Sequence, residues 1–353
     1  GNYQGNGPES NASVTYVDPT ASIKASAIES GNGGRVVVWA NDTTRFYGAI
    51  EAKGGANSGD GGFVETSGKR NLDFQGSVNT LAFNGKAGTL LLDPQNVTIS
   101  AVGSTTNINS TGSPFSPTGP NAVLLVSNLE TQLGLSNTIV NTGSSGLQPG
   151  TITVSAGSPI SWSSGNSLTL AANGGVSIYS PITSTGAAGV SGGSFAVTAG
   201  GAVLINSSIT TIGGTGSGTS GGNISVSTTS GDISIAPGAS LNSSGNNGGG
   251  GSNHHAGSII LTTGPGGTLT TGSGGAAISA LGYDGGIGNT ISLTADSMVI
   301  NGALNANRID FTTRSTGQDI SLGSVGGGLL LNSTVASHIN APNIYISTGS
   351  GNI

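Results

Sequence analysis

The sequence predicts an all-β fold, a right-handed parallel β-helix or solenoid with three short strands in each coil. Short runs of Ile, Val and Leu return throughout the 353 residues, and glycine, which occurs 65 times, flanks many of them. The units from Gly192 to Gly214 and from Gly221 to Gly245 align with each other strand by strand. Three short strands cannot bury an apolar face alone, so we expect the units to stack as coils about 4.8 Å apart through parallel ladders.

Apolar and polar residues alternate within the predicted strands. In one of them, Phe195 and Val197 should face the core, whereas Thr198 should face water. Ser, Thr and Asn supply the outer surface, since only 7% of the residues are charged. The recurrent β-branched runs exclude disorder for most of the chain. Thr-x-Thr pairs such as Thr151 and Thr153 are not expected to recur in register, so an ice-binding ladder is not predicted.

The composition excludes several kinds of partner. A net charge of -6 with nine basic residues leaves no stripe that could neutralise a phosphate backbone, so no nucleic-acid partner is expected. The longest apolar runs are far shorter than the roughly 20 residues of a membrane-spanning helix, so we expect no membrane insertion by this segment. The sequence has no cysteine, which excludes disulfides and thiolate metal sites.

Charge and proline divide the chain into three predicted regions. Residues 1–93, which hold sixteen of the 24 charged residues, form a charged, aromatic-containing β-helical block. Residues 94–150 form an irregular insertion, and residues 151–353 form Gly/Ser/Thr-rich β-helical repeats that should continue beyond the chain end. Three prolines interrupt the insertion: Pro114, Pro117 and Pro120.

A short helix is predicted within the insertion, at residues 128–134. Ser127 and Glu130 have the spacing of a capping box, which places the helix start at Ser127. Leu129 and Leu133 lie four residues apart on its apolar face. The helix should therefore pack on the flank of the solenoid as a local decoration.

Three strings in the first hundred residues carry a family resemblance. They are "GGRVVVWANDTTRFYG" (33–48), "GGFVETSGK" (61–69) and "GTLLLDPQNVTI" (88–99). In this order they resemble the filamentous-haemagglutinin-like large exoproteins, the two-partner secretion adhesin family. Beyond residue 100 the resemblance is limited to Gly/Ser/Thr-rich β-helical repeats. The Asn-Pro-Asn motifs of the family's secretion domain do not occur in this sequence, so the implied export route concerns the parent protein.

The resemblance implies an extracellular bacterial protein, at the cell surface or secreted. It implies export of the parent protein through a dedicated outer-membrane β-barrel transporter partner. Host or matrix glycans or neighbouring cells are the implied binding partners, with self-association as a further option. We therefore expect an adhesin shaft or a structural fibre of the cell surface or biofilm. The alternatives are a carbohydrate-active β-helix enzyme and a self-assembling extracellular filament or sheath subunit.

Acidic residues in the first region motivate the enzyme alternative. Glu51, Glu65 and Asp73 have spacings compatible with adjacent coils, and carboxylates clustered on one outward face can serve acid–base chemistry. Four basic residues are interleaved with them: Arg35, Arg45, Lys69 and Arg70. Opposite charges interleaved on a wet face usually form a solvated surface, so no catalytic residues are expected.

Two further groups of residues are candidates for binding. His254 and His255 are consecutive in a glycine-rich loop and should not converge on one ion, so neither a metal nor a cofactor is expected. Aromatic residues at strand spacing should mostly fill the core, which leaves Trp39 and Tyr47 as the exposed pair and the candidate surface glycan contacts. Six aromatic residues of the first region carry this argument: Trp39, Phe46, Tyr47, Phe63, Phe74 and Phe83.

Overall fold

The structure is a computed structural model, and it describes residues 3–5, 7–68, 71–93, 96–102, 122–142, 150–247, 252–323 and 329–348. The interruptions predicted at Pro114, Pro117 and Pro120 lie outside these ranges. The regional boundaries predicted at 93/94 and 150/151 stay predictions, and Pro94 also lies outside the described residues.

The described residues form 34 strands, two α-helices and one short 3-10 helix. The first seventeen strands are β1 (Val14–Val17), β2 (Ser22–Lys24), β3 (Arg35–Ala40), β4 (Thr43–Phe46), β5 (Ala49–Glu51), β6 (Phe63–Gly68), β7 (Asn71–Phe74), β8 (Ser77–Asn79), β9 (Thr89–Asp93), β10 (Val97–Ser100), β11 (Ala122–Leu125), β12 (Asn137–Asn141), β13 (Ile152–Val154), β14 (Ile160–Trp162), β15 (Leu168–Ala172), β16 (Val176–Ile178) and β17 (Ile182–Thr185). The remaining strands are β18 (Phe195–Ala199), β19 (Val203–Ile205), β20 (Ile209–Ile212), β21 (Ile224–Thr228), β22 (Ile233–Ile235), β23 (Leu241–Asn242), β24 (Ile259–Thr262), β25 (Thr268–Thr271), β26 (Ala277–Ala280), β27 (Thr290–Thr294), β28 (Ser297–Ile300), β29 (Ala303–Ala306), β30 (Arg308–Thr312), β31 (Ile320–Leu322), β32 (Leu329–Leu331), β33 (Ile339–Asn340) and β34 (Asn343–Ser347). The helices are α1 (Val126–Leu133), α2 (Ser333–Ser337) and the 3-10 helix Tyr3–Gly5.

The chain divides into two compact units, and unit 1 comprises Gly1–Ser158 with Asn166–Asn173. Its sheets have the strand orders β3-β6-β9-β12-β15, β2-β5-β8, β1-β4-β7 and β11-β10-β13. Inward-facing residues from successive coils lie in register, so that Val64 pairs with Leu90 and both are fully buried. Each such aliphatic side chain contributes about 1.5–3 kcal/mol by leaving water.

Unit 2, which comprises Pro159–Gly165 with Gly174–Ile353, repeats the same arrangement. Its main sheets have the orders β18-β21-β24-β27-β30-β34, β16-β19-β22-β25-β28 and β14-β17-β20-β23-β26-β29-β33, and β31 pairs with β32. Phe195 and Val197 are buried and Thr198 is exposed, as the alternation predicted. Because consecutive strands fall on three sheets in turn and pair in parallel one coil apart, the predicted parallel β-helix with three short strands per coil is confirmed.

Helix α1 forms near the predicted position but starts differently. It begins at Val126, its N-cap is Leu125, and no side chain caps it. The capping box predicted for Ser127 and Glu130 is therefore wrong: Ser127 lies inside the first turn, and its carbonyl oxygen accepts a hydrogen bond from the Thr131 hydroxyl at 2.8 Å. The extended conformation of Leu125 continues β11, so the helix starts where the strand stops.

The buried face of α1 closes one edge of a sheet in unit 1. Leu129 and Leu133 are fully buried, as predicted. Gln132 is also buried, and its Oε1 accepts a hydrogen bond from the Val78 N–H of β8 at 2.9 Å. Asn128 Nδ2 donates to the carbonyl oxygen of Phe74 at 3.0 Å. The helix thus supplies polar partners to backbone groups of β7 and β8, and β8 is the last strand of its sheet. No helix in the described ranges is long and apolar enough to cross a membrane.

Candidate functional site

The three carboxylates that motivated the enzyme alternative lie on three different sheets of unit 1. Glu51 belongs to β5, Glu65 to β6 and Asp73 to β7. Glu51 pairs with Lys53 at 3.2 Å, and the fully buried Glu65 accepts a hydrogen bond from the Ser67 hydroxyl at 2.8 Å. The fold therefore does not gather the three acids on one outward face.

The interleaved basic residues are separated as well. The Arg35 guanidinium lies over the rings of Tyr3 and Phe63, at 4.6 and 5.0 Å from their centroids. Lys69 and Arg70 lie outside the described residues. Of the two basic residues that the structure describes, Arg45 lies beside one of the three acids, because it is opposite Asp73 in the β4–β7 ladder.

Trp39 is not an exposed contact residue, which corrects the expectation from the sequence. Its side chain is 7% exposed, and Gly5 lies so close to the indole ring that a Cβ there would overlap it. The N-terminal segment covers this ring, a long-range packing that strand alternation does not reveal. Phe46 and Phe74 fill the core with ring centroids 5.5 Å apart, as expected, whereas Phe83 is 85% exposed.

Tyr47, in contrast, belongs to a polar and aromatic cluster on the outer face of the β1-β4-β7 sheet. Parallel pairing sets Tyr16, Arg45 and Asp73 opposite one another in successive coils. Tyr47 follows β4, and its ring meets the Tyr16 ring edge to face, with centroids 5.6 Å apart. We call these residues, together with Gln75, the Tyr16–Arg45 cluster.

Neutral donors hold the carboxylate of this cluster. The Tyr47 hydroxyl donates to Asp73 Oδ2 at 2.6 Å, and Gln75 Nε2 donates to Asp73 Oδ1 at 2.9 Å. Partial burial, together with the hydrogen bond to Asp73, raises the pKa of Tyr47 far above its ordinary value. Tyr47 therefore stays protonated and acts as a donor throughout the physiological pH range.

Arg45 is the anomalous member of the cluster. Its side chain is 3% exposed, and its Nη2 is buried without a hydrogen-bond partner. Within the described ranges, the guanidinium forms no ion pair, although Asp73 is its neighbour in the ladder. Buried polar groups are normally paired, so this cation requires an explanation.

The two consecutive histidines bind different partners in unit 2. His254 is fully buried, and its Nδ1 lies 2.9 Å from the Thr219 hydroxyl oxygen. His255 Nδ1 accepts a hydrogen bond from the Ile287 N–H at 2.9 Å. No group of three or more His, Cys, Asp or Glu side chains suited to a metal is found within the part of the chain that the structure describes.

The outer faces of unit 2 carry polar columns that the sequence analysis missed. On two sheets, each successive described strand places a hydroxyl or amide side chain at the same register position. These are single columns of hydroxyl and amide side chains and not the Thr-x-Thr pairs of an ice-binding ladder. The first column contains Thr198, Ser227, Thr262, Thr294, Thr312 and Ser347. The second contains Ser161, Thr183, Thr210, Asn242, Ser279, Asn305 and Asn340.

Hydrogen bonds connect the last three side chains of the second column. Asn340 Nδ2 donates to Asn305 Oδ1, and Asn305 Nδ2 donates to the Ser279 hydroxyl oxygen, each at 3.2 Å. The columns repeat with the coil spacing of about 4.8 Å. They present regularly spaced donors and acceptors and few charges.

No protein-family model matches the chain, and no curated protein matches it.

Proposed function

We propose that this chain is a segment of a secreted bacterial surface exoprotein of the filamentous-haemagglutinin-like kind, and that it acts as an adhesive shaft. The single observation that supports it best is the pairing of a parallel-coil scaffold with register-aligned hydroxyl and amide columns on its outer faces. Such a surface offers many weak hydrogen bonds to hydroxyl-rich polymers without a deep pocket. The separation of Glu51, Glu65 and Asp73 onto three sheets gives the enzyme alternative no comparable support.

The remaining features of the proposal come from the resemblance in residues 1 to 100. They are an extracellular location, export of the parent protein through an outer-membrane β-barrel transporter, and contacts with glycans, matrix polymers or neighbouring cells. The same scaffold would also serve a related function, self-association into a structural fibre of the surface or biofilm.

Attachment of beads that carry the folded chain tests the proposal. Beads coated with the chain should attach saturably to polysaccharide films or to cells, and soluble chain should compete. Beads coated with the heat-unfolded chain are the matched control. Attachment no greater than that of the control would contradict adhesion, and release of new reducing ends from the film would favour the enzyme. Electron microscopy of the purified chain separates single particles from polymers.

A further inference from the structure

We infer that the Tyr16–Arg45 cluster binds an acidic saccharide, with the Arg45 guanidinium holding the carboxylate of a uronic-acid ring. This inference rests on the proposed adhesive function and names its ligand class and one of its contact sites. The juxtaposition that carries it is a buried, unpaired guanidinium beside two tyrosine rings and a carboxylate that is already satisfied.

Arg45 costs the folded protein stability unless something pairs with it. A cation removed from water needs an anion or a full set of acceptors, and Nη2 has neither. Unsatisfied polar groups of this kind are typical of functional sites, where strain is retained because a ligand relieves it. An incoming anion would therefore supply the partner that this guanidinium lacks.

Asp73 does not fill this role, because its two oxygens are already engaged. Oδ2 accepts from the Tyr47 hydroxyl at 2.6 Å and Oδ1 accepts from Gln75 Nε2 at 2.9 Å. Tyr47 remains a donor at neutral pH, so this arrangement persists while a ligand binds. Asp73 and Tyr47 together form one fixed wall of the site.

The aromatic residues indicate that the anion is carried on a sugar ring. Tyr16 is 53% exposed and the edge-to-face contact with Tyr47 fixes the orientation of its ring. Exposed tyrosines offer an apolar face and a polar edge, which suits the C–H face and hydroxyls of a saccharide. Tyr16 and Asp73 flank Arg45 in the ladder, and Tyr16 is the more exposed, so the ligand approaches from the Tyr16 side.

The local charge favours a carboxylated sugar over a densely charged polyanion. Arg45 is the one cation of the cluster, and the carboxylates of Asp73 and Asp18 lie near it or near Tyr16. The whole chain carries a net charge of -6. One guanidinium matches the planar, two-oxygen geometry of one carboxylate, whereas a nucleic acid or a highly sulfated chain requires a run of cations.

Titration calorimetry of the full chain with tetragalacturonate tests the site. We expect binding that is lost when the methyl ester of the same tetrasaccharide is used, because the ester has no charge. The Arg45→Met variant should bind tetragalacturonate at least about tenfold more weakly, as expected for the loss of one charge-assisted hydrogen bond. The matched control is Arg35→Met, which removes an arginine that stacks on Tyr3 and Phe63 outside the cluster and should leave affinity unchanged.

Denaturation of the same variants separates a binding role from a structural one. If Arg45 serves binding, its unpaired guanidinium destabilises the free protein. The unfolding midpoint of Arg45→Met should therefore equal or exceed that of the wild type. A lower midpoint together with unchanged affinity would overturn the inference, as would equal binding of the acid and its ester. A third result would overturn the saccharide site but not the proposed adhesion. In that case the wild type does not bind tetragalacturonate, and beads that carry Arg45→Met attach as well as beads that carry the wild type.

Discussion

At the scale of single residues, two buried charged side chains, Asp296 and Arg45, differ in how many hydrogen bonds they make. Asp296 is 8% exposed, and its carboxylate accepts hydrogen bonds from the N–H groups of Gly266, Arg314 and Ser315 at 2.7, 2.9 and 2.7 Å. The Ser315 hydroxyl also donates to it. Arg45 is buried to a similar degree with none of these compensations. Asp296 therefore stabilises two turns, whereas Arg45 Nη2 lacks a hydrogen-bond partner.

The carboxylate of Asp296 makes stability depend on pH in a defined direction. Burial by itself raises its pKa, but the hydrogen bonds from Ser315, Gly266 and Arg314 outweigh burial and hold the pKa below the ordinary 3.8. The unfolded chain consequently binds the proton first as the pH falls. The stabilisation is fully present above about pH 4 and is lost as the pH falls through the lowered value.

Replacement of Asp296 by Asn should lower the free energy of unfolding by about 1.5–3 kcal/mol at pH 7, because charged hydrogen bonds become neutral and one N–H faces an amide donor. The difference from the wild type should shrink as the pH falls below 4. Urea denaturation at pH 7 and pH 3 measures it. Asp284→Asn, at an exposed turn position with φ 52°, is the control for charge removal. A difference that does not change with pH would contradict the assignment.

At the scale of elements, helix α1 closes the β8 edge of the β2-β5-β8 sheet. Gln132 of α1 supplies the acceptor for the Val78 N–H, so one side chain substitutes for a ladder carbonyl. An apolar helix face alone would bury this N–H without a partner. The polar residue on the buried face of α1 is thus explained by the backbone it covers.

Replacement of Gln132 by Met keeps the side-chain volume and removes the acceptor. We expect the free energy of unfolding to fall by about 1–3 kcal/mol, since the Val78 N–H is left buried and unsatisfied. Thermal and urea unfolding measure the loss. Thr131→Ala, on the exposed side of the same helix, should change stability by no more than about 0.5 kcal/mol. Equal effects of the two substitutions would show that the hydrogen bond is unimportant.

The corners of unit 2 depend on glycines that stack on one another. A Cβ on Gly257 would overlap the carbonyl oxygen of Gly222 in the preceding coil. We expect Gly257→Ala to destabilise the protein by about 1–3 kcal/mol, because the coils cannot separate without breaking ladders. In Gly165→Ala the nearest atom is 3.6 Å away, so the midpoint should hardly move. Similar denaturation midpoints for both variants would refute close stacking at this corner.

At the scale of the whole molecule, the coil is the unit that can be added or removed. Phe195 pairs with Ile224, so deletion of Gly193–Gly221 removes β18, β19 and β20 and leaves β21 in the register of β18. The shortened protein should keep its circular dichroism spectrum and unfold cooperatively. Deletion of Gly193–Asn206 removes only two strands and places β20 on the wrong sheet, so this variant should fail to fold. Survival of both deletions, or loss of both, would contradict a coil-by-coil architecture.

Local sequence patterns were sufficient to predict the class of fold and the direction of side chains such as Phe195 and Thr198, but they placed Trp39 wrongly on the exposed side. Alternation within a strand and glycine at the bends are local signals, and a coil repeats them, so Phe195 inward and Thr198 outward followed without coordinates. The presence of a short helix near residue 130 also followed, because Leu129 and Leu133 are four residues apart.

Contacts between residues of different coils could not be predicted from local patterns. The lengths of the corners set the register, and no local pattern encodes them, so the alignment of Tyr16, Arg45 and Asp73 and the hydroxyl columns of unit 2 became visible only in the ladders. The same holds for contacts between residues far apart in the sequence. The segment that contains Gly5 covers the Trp39 ring, and the Val78 N–H is the reason that Gln132 is polar although it is buried. Short-range periodicity in the sequence therefore specifies the core of this protein, whereas its candidate site depends on which residues of different coils lie opposite one another.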